Sequence, residues 1–416
     1  MITVVGLGED ALGVRAVRAL DDAALIVGGN RHLLAVAPLL SPRHREIELR
    51  GDLALALNAV AADPGPTVVL ASGDPGFFGI VRLLAQRFGP GALRVVPAVS
   101  SVASAFAHAA LSWDDALVAS AHGRDPRIAT NLCRRYPKVA VLTSPTFGPR
   151  ALAEALRGFD RTFVVLEHAG AAAERVTTGP PDAIASKTFS DPNVVLCVDP
   201  EASSTDKAVH WPLRATPERW ALPEDAFDHR DGMITKAEVR ALALAWLGPG
   251  PGDLVWDLGA GSGSVGIEAA RLGAAVIAVD ADPAQCRRVR ANAVRHGVPI
   301  EVVKGAAPVV LPGMPDPDAV FIGGGGAVLR GIVQVAAYRA RRIVVVTLAT
   351  LERVGPICQL LAEAGLEVEG TQLSTARFTP FATGTRLAAV NPVFLLSGRR
   401  TRGEDGRLRP SVGGDR

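Results

Sequence analysis

A chain of 416 residues, 48% hydrophobic and 21% charged, is long enough for two or three domains that each bury a core. Its 44 basic and 42 acidic side chains leave a net charge of +2, which argues against a nucleic-acid-binding protein. Four scattered cysteines, Cys133, Cys197, Cys286 and Cys358, show neither metal-ligand spacing nor a disulfide framework, and no metal is expected.

The first strand is expected at once, from Ile2 to Val5, without the basic and apolar regions of a secretory leader, so the protein is expected in the cytoplasm. Seven more short β-rich runs follow: ALIVGG, TVVLASGDPG, LRVVPAVSS, ALVASAHG, VAVLTSP, TFVVLEH and NVVLCVD. Helical patterns lie between them, which predicts an α/β domain over residues 1–200 with mostly parallel pairing in its first part. Val95 to Trp113 has no Asp, Glu, Lys or Arg, yet Pro97, its serines and His108 fit a buried helix better than a membrane span. Residues 201–224 set Pro212, Pro217 and Pro223 among polar side chains, as a linker or a wrapped connection does.

A second α/β domain is predicted over residues 225–400. A helix from Lys236 to Leu247 precedes strands at Leu254 to Asp257, Val276 to Asp280, Val302 to Val303, Ala319 to Ile322 and Ile343 to Thr347. Two late apolar runs, Leu366 to Glu369 and Val393 to Ser397, are expected to complete the sheet as an antiparallel edge pair. Residues 401–416 are rich in Arg, Gly and Asp and read as a disordered tail.

The segment DLVWDLGAGSGSVG carries the chemistry. A buried strand ends at Asp257, Gly259, Gly261 and Gly263 form a turn that lets a ligand approach backbone amides, and a helix follows. Gly261, Gly263 and Gly266 also spell the dinucleotide pattern G-x-G-x-x-G, so an NAD-dependent dehydrogenase stays open on the glycines alone. Asp257 tilts the reading towards S-adenosylmethionine, because a carboxylate at the strand tip repels a pyrophosphate and attracts an ammonium. Asp280 ends the next strand, where an acidic side chain accepts both ribose hydroxyls of either adenosine cofactor.

These motifs, together with MITKAEVRALALAWL, DAVFIGGGG and RLAAVNPVFLLSG, make the second half similar to the carbon-15 methyltransferase and decarboxylase part of the precorrin-6Y C(5,15)-methyltransferase (decarboxylating) family. The first half resembles the tetrapyrrole methyltransferases through GLGED, IVGGNRHL, ASGDPGFFG and VVPAVSSVASAFAHAAL. The resemblance implies a two-lobed tetrapyrrole methyltransferase fold followed by a Rossmann-like fold. It also implies S-adenosylmethionine as methyl donor and methylation of precorrin-6B, or its cobalt-bearing counterpart, at carbons 5 and 15. It further implies decarboxylation of the ring C acetate, giving precorrin-8X in cobalamin biosynthesis. A homo-oligomer without nucleic-acid or membrane partners is expected.

Carried over residue by residue, the resemblance places Thr235, Gly259, Gly261, Gly263, Asp280 and Ala307 around the second cofactor, with Asp257 at the strand tip. Around the first it places Gly6, Gly8, Gly73, Asp74, Ser100 and Ser101. Glu9 and Asp10 stand where the family has a proline and a glycine, and Ala306 where it has an acidic residue. Thr235, with Glu238 three residues on, reads equally as a helix N-cap, Gly73 to Pro75 as an ordinary β-turn, and Ser100 and Ser101 as caps. Arg43, His44, Arg45, Arg377 and Arg386 are candidate hosts for substrate carboxylates. No residue is singled out as catalytic. His108, His122 and His168 have no motif partner, and Asn391 to Phe394 read as structural.

Overall fold

The computed structural model describes residues 1–8, 12–49, 53–201 and 219–401. Glu9 and Asp10, most of the proline-containing connection and all but the first residue of the tail lie outside the described residues. By packing, the chain divides into two units: Met1–Pro126 with Pro137–Lys207, and Arg127–Tyr136 with Ala208–Arg416.

The first unit holds two five-stranded sheets. The first sheet is built from β1 (Ile2–Leu7), β2 (Leu25–Gly28), β3 (Arg45–Glu48), β4 (Thr67–Ser72) and β5 (Leu93–Val96), in the order β3-β2-β4-β1-β5, with every pair parallel. Neighbouring residues of one strand feed opposite cores. Val5, Ile26 and Leu70 pack on one face, and Val4, Val27 and Val69 on the other. This two-sided burial is why these strands read as continuous apolar runs.

The second sheet joins β6 (Leu117–Ser120), β7 (Lys138–Leu142), β8 (Thr162–Glu167), β9 (Arg175–Gly179) and β10 (Asn193–Val198) in the order β6-β7-β10-β8-β9. Only β6 and β7 pair in parallel. Two strands escaped the sequence reading, β3 and β9. Both are edge strands with exposed residues, so neither shows the apolar run of its neighbours.

The second unit carries a seven-stranded sheet. Its strands are β11 (Leu254–Leu258), β12 (Ala275–Asp280), β13 (Glu301–Lys304), β14 (Ala319–Ile322), β15 (Ile343–Leu348), β16 (Glu367–Phe381) and β17 (Gly384–Arg399), in the order β13-β12-β11-β14-β15-β17-β16. The first five are parallel, and β17 and β16 close the edge antiparallel, as their two apolar runs predicted. Both strands are far longer than those runs. Pairing continues to Phe381↔Gly384, whereas β15 reaches only Phe394 of β17, so the outer part is a two-stranded ribbon. Its inner face, with Thr375, Arg377 and Thr379, is only half-buried and polar, and Phe378, Phe381 and Leu387 are exposed, so no apolar period marks this ribbon in the sequence.

Among the described residues no helix is long and apolar enough to cross a membrane. Cys133, Cys197 and Cys286 are buried and Cys358 partly so, and among the described residues none of the four is in a disulfide.

Candidate active site

At the C-terminal end of β11 the chain turns through Gly259, Gly261 and Gly263, whose φ angles of 69°, 57° and 75° lie in the left-handed region that side chains disfavour. The Gly261 N–H donates to Asp280 Oδ2 at 2.9 Å, tying this turn to the tip of β12, and Asp280 Oδ1 accepts the Asp282 N–H at 2.9 Å. Each carboxylate oxygen keeps a further lone pair, which is what a vicinal diol requires of an acceptor. A Cβ on Gly259 would come within 3.0 Å of the Gly324 backbone nitrogen, so the loops after β11 and β14 approach as closely as backbone allows.

Between these loops opens a cavity of about 740 Å³, within the range of small-ligand sites. Gly259, Gly261, Asp280 and Ala307 line it, as does Thr235. So do three of the four glycines after β14, Gly323, Gly324 and Gly325. The sheet order splits the wall. On the β11–β13 side it is polar, with Asp280, Asp282 and Gln285. On the β14–β17 side it is mostly apolar, with Val328, Ile332, Leu348, Val390 and Val393. Residues that the sequence did not single out also line it: Arg230, Met233, Lys236 and Gln285. Arg and Lys in a polar stretch carry no signal that separates a ligand host from solvated charge. Asn391 lines it too, which corrects its reading as purely structural.

Three other expectations are corrected. Asp257 does not line the cavity: it is 1% exposed and accepts the Gly266 N–H at 2.9 Å. Strand alternation is the reason, since Asp257 shares the face of Val255, which is covered by the helix Ser264–Arg271. Burial pushes its carboxyl up to about 7. Gly263 is likewise absent from the wall; it is the N-cap of that helix, and a Cβ there would meet Val289 at 3.0 Å. Thr235 is no cap. The helix Ala237–Leu247 has Lys236 at its N-cap position without a side-chain bond, and Glu238 pairs with Arg377 at 2.7 Å instead of reaching back.

A strap, Trp220 to Lys236, brings Arg230, Met233 and Thr235 to the cavity and is pinned to the sheet's helices by buried polar side chains. Arg240 and Glu268 form an ion pair at 2.7 Å with 0% and 1% exposure. Glu268 also accepts the Ala221 and Leu222 N–H groups, and Arg240 donates to the Thr235 and Leu222 carbonyls. Asn292 accepts the Asp228 N–H at 2.8 Å and donates at 2.9 Å to both the Asp228 carbonyl and the Ser262 carbonyl, the latter within the glycine turn. The described end of the proline-containing connection is thus wrapped and packed.

In the first unit the loops after β1, β4 and β5 interlock. The Gly73 N–H donates to Leu7 O at 2.7 Å, and the Ala98 N–H to Gly73 O at 3.3 Å. A Cβ on Gly6 would fall 2.0 Å from Gly73 O and 2.7 Å from Ala98 N, and one on Gly8 3.1 Å from Ala98 Cβ. Gly6, Gly8, Gly73 and Ser100 therefore converge at the C-terminal ends of parallel strands, where open α/β sheets bind ligands. Asp74 and Ser101 adjoin them. The local readings hold as well: Asp74 Oδ1 accepts the Gly76 N–H at 2.8 Å, and Ser100 Oγ caps the helix Ser101–His108 through Ala103 N at 3.1 Å. Beside the turn, Ser72 Oγ accepts from Arg31 at 2.5 Å and lies 2.8 Å from His32 Nε2. Burial, aided by the Arg31 charge, lowers His32 to about 4.

Several candidate hosts for substrate carboxylates are engaged elsewhere. Arg377 is bidentate to both Glu224 and Glu238, and its hydrogen bonds draw Glu224 down to about 2. Arg45 pairs with Asp63, Arg43 donates to Asp21 O, and the Arg386 guanidinium stacks 5.4 Å from the Phe381 ring centre. The His44 ring accepts the Ser41 N–H. Among the histidines, His108 pairs with Glu174 at 2.8 Å, and the backbones of His122 and His168 bond Ser120 and Pro192.

Residues 1–185 match the family described as tetrapyrrole (corrin/porphyrin) methylases, and residues 225–399 match the precorrin methyltransferase domain. A Sinorhizobium protein named precorrin-6Y C(5,15)-methyltransferase (decarboxylating) is 39% identical over 346 residues, 78% of this chain and 79% of its own length. A Mycobacterium tuberculosis protein of the same name is 34% identical, over 78% of this chain and 81% of its own. A crystal structure of precorrin-6Y C5,15-methyltransferase from Geobacter metallireducens covers 44% of this chain and 97% of its own at 30% identity, with a TM-score of 0.42.

Proposed function

The chain belongs to the precorrin-6Y C(5,15)-methyltransferase (decarboxylating) family, an enzyme family of cobalamin biosynthesis, and from that membership we propose that it holds two S-adenosylmethionine sites, one in each half. Residues 1–200 methylate carbon 5 of precorrin-6B, and residues 225–400 methylate carbon 15 and remove the ring C acetate carboxylate, giving precorrin-8X. The enzyme works in the cytoplasm as a homo-oligomer.

The observation that carries this reading is the pairing of Gly261 N–H with Asp280 at the rim of a cavity whose opposite wall is a glycine loop. Asp280 holds the ribose hydroxyls, Gly259 and Gly261 let the donor lie against the backbone, and Ala307 borders the adenine. Gly323 to Gly325 leave room for a broad, flat acceptor, and Arg230 and Lys236 host its carboxylates. The donor supplies an electrophilic methyl group on sulfur, and the acceptor carbon is an enamine-like nucleophile, so alignment is the chain's main contribution. Aligned reactants gain about 7–11 kcal/mol at best over free encounter. In the first half, the interlocked Gly6, Gly73 and Ser100 loops form the corresponding cradle.

Calorimetry of the full chain with S-adenosylhomocysteine is expected to give two sites per chain. Mass spectrometry with precorrin-6B is expected to show gain of two methyl groups and loss of one carbon dioxide. Binding at neither half, or a doubly methylated product that retains every carboxylate, contradicts the assignment. Offering cobalt-bearing and metal-free substrate side by side identifies which form is turned over.

A further inference from the structure

Strand β17 runs antiparallel to the rest of the sheet and so enters it over the cavity. Its pairing with β15 stops at Phe394↔Leu348. Its pairing with β16 jumps from Leu373↔Val393 to Thr375↔Val390, so that Asn391 and Pro392 together oppose Ser374. This is a β-bulge, a device that re-aims side chains beside active sites, and Pro392 has no N–H with which to continue the ladder. Val390, Asn391 and Val393 line the cavity, close in the fold to Leu348 and Ala349 at the end of β15. The Asn391 carboxamide is exposed and, among the described residues, has no hydrogen-bond partner. Apart from Thr347, whose hydroxyl is spent on Ile322 O, it is the polar side chain on an otherwise apolar wall.

On the reading that the second half methylates carbon 15 and decarboxylates, we propose that Asn391 is a catalytic residue. Its carboxamide oxygen accepts the N–H of the ring nitrogen conjugated to carbon 15 and holds that nitrogen cationic until carbon dioxide has left. In the methylation the sulfur keeps the electron pair of the bond it loses. The new carbon–carbon bond takes a π pair of the macrocycle, which is left with one positive charge centred on nitrogen. The bond between the acetate methylene and its carboxylate then breaks, its electron pair neutralises the macrocycle, and carbon dioxide departs. Neither step exchanges a proton; the exocyclic methylene left behind then takes one proton from solvent as the macrocycle returns one, so that the former acetate ends as a methyl group.

A carboxamide suits this sequence for a reason of basicity. Its oxygen stabilises an N–H that is becoming cationic, yet it is far too weak a base to remove the proton. A carboxylate in its place would take the proton, discharge the macrocycle and leave the acetate with no electron sink. Once a broad, flat acceptor covers the exposed carboxamide against apolar neighbours such as Val390 and Leu348, water is excluded and one aimed dipole has its largest effect.

The test uses the full chain with Asn391→Ala, Asn391→Leu and Asn391→Asp, following carbon-15 methylation and decarboxylation, with S-adenosylhomocysteine affinity as the control for an intact site. The Ala and Leu variants are expected to lose about 10²-fold in kcat, with KM and inhibitor affinity changed by no more than about twofold. The Asp variant is expected to methylate but to release product that retains the carboxylate, in a fraction that rises with pH as the new carboxyl ionises. Wild-type kcat in Asn391→Ala, or full coupling of the two steps in Asn391→Asp at every pH, overturns the proposal while leaving the methylation reading in place. A wild-type chain that does not methylate carbon 15 overturns both.

Discussion

Arg240 and Glu268 meet at 2.7 Å in the interior of the second unit, and each spends its remaining hydrogen-bonding capacity on the backbone of one strap. Removing a single partner strands a buried charge and frees the strap. Arg240→Ala or Glu268→Gln is therefore expected to cost about 3–5 kcal/mol, read as a lower denaturant midpoint, whereas an Arg240→Leu, Glu268→Leu double variant is expected to cost less than either alone because no charge stays buried. Single variants within about 1 kcal/mol of wild type would show that the strap is held by other contacts.

Replacing Gly259 tests the second donor site. Its left-handed φ of 69° and the 3.0 Å approach of Gly324 leave no room for a branched side chain. Gly259→Val is expected to reduce S-adenosylhomocysteine stoichiometry from two to one and to abolish carbon-15 methylation and decarboxylation. Carbon-5 methylation should persist, and its loss would contradict independent sites.

The mirror experiment is Gly6→Ala. The added Cβ would lie 2.0 Å from the Gly73 carbonyl oxygen, far inside contact distance, so the loops after β1 and β4 must separate. Carbon-5 methylation is expected to disappear while carbon-15 methylation and decarboxylation continue, as measured by product mass. Unaltered carbon-5 activity would remove these loops from the donor site.

Asp257 gives a pH prediction with a definite sign. Its carboxyl is raised by burial from 3.8 to about 7, so the folded chain binds more protons than the unfolded one between those values. The stabilisation is complete below about 4 and is lost as pH rises to about 7. Asp257→Asn keeps an acceptor for the Gly266 N–H without the ionisation. The variant should therefore gain in thermal midpoint relative to wild type as pH rises through that window, with no further gain above it. A pH-independent difference would mean that Asp257 is ionised throughout.

Much of this architecture was legible because burial leaves a pattern. Leu254–Leu258 and Ile343–Leu348 face cores on both sides and read as apolar runs, while the glycine turn and Asp280 announce themselves by spacing. Arg45–Glu48, Arg175–Gly179 and the outer ribbon did not, since a strand without a buried face has no apolar period. Asp257 was found by position but misassigned, because the choice between cavity and helix depends on strand parity. Lys236 and Arg230 were passed over, and Asn391 was read as structural, for a different reason: what makes them part of a site is the arrival of distant segments at one cavity, information that no local window contains.

Asn292 joins the two sides of that cavity through one carboxamide, with Ser262 of the glycine turn on one hand and Asp228 of the strap on the other. A donor that shifted the turn would act on the strap through this carboxamide, and an acceptor that drew in Arg230 would act on the turn. Whatever factor the first ligand lends to the second, the second returns in equal measure.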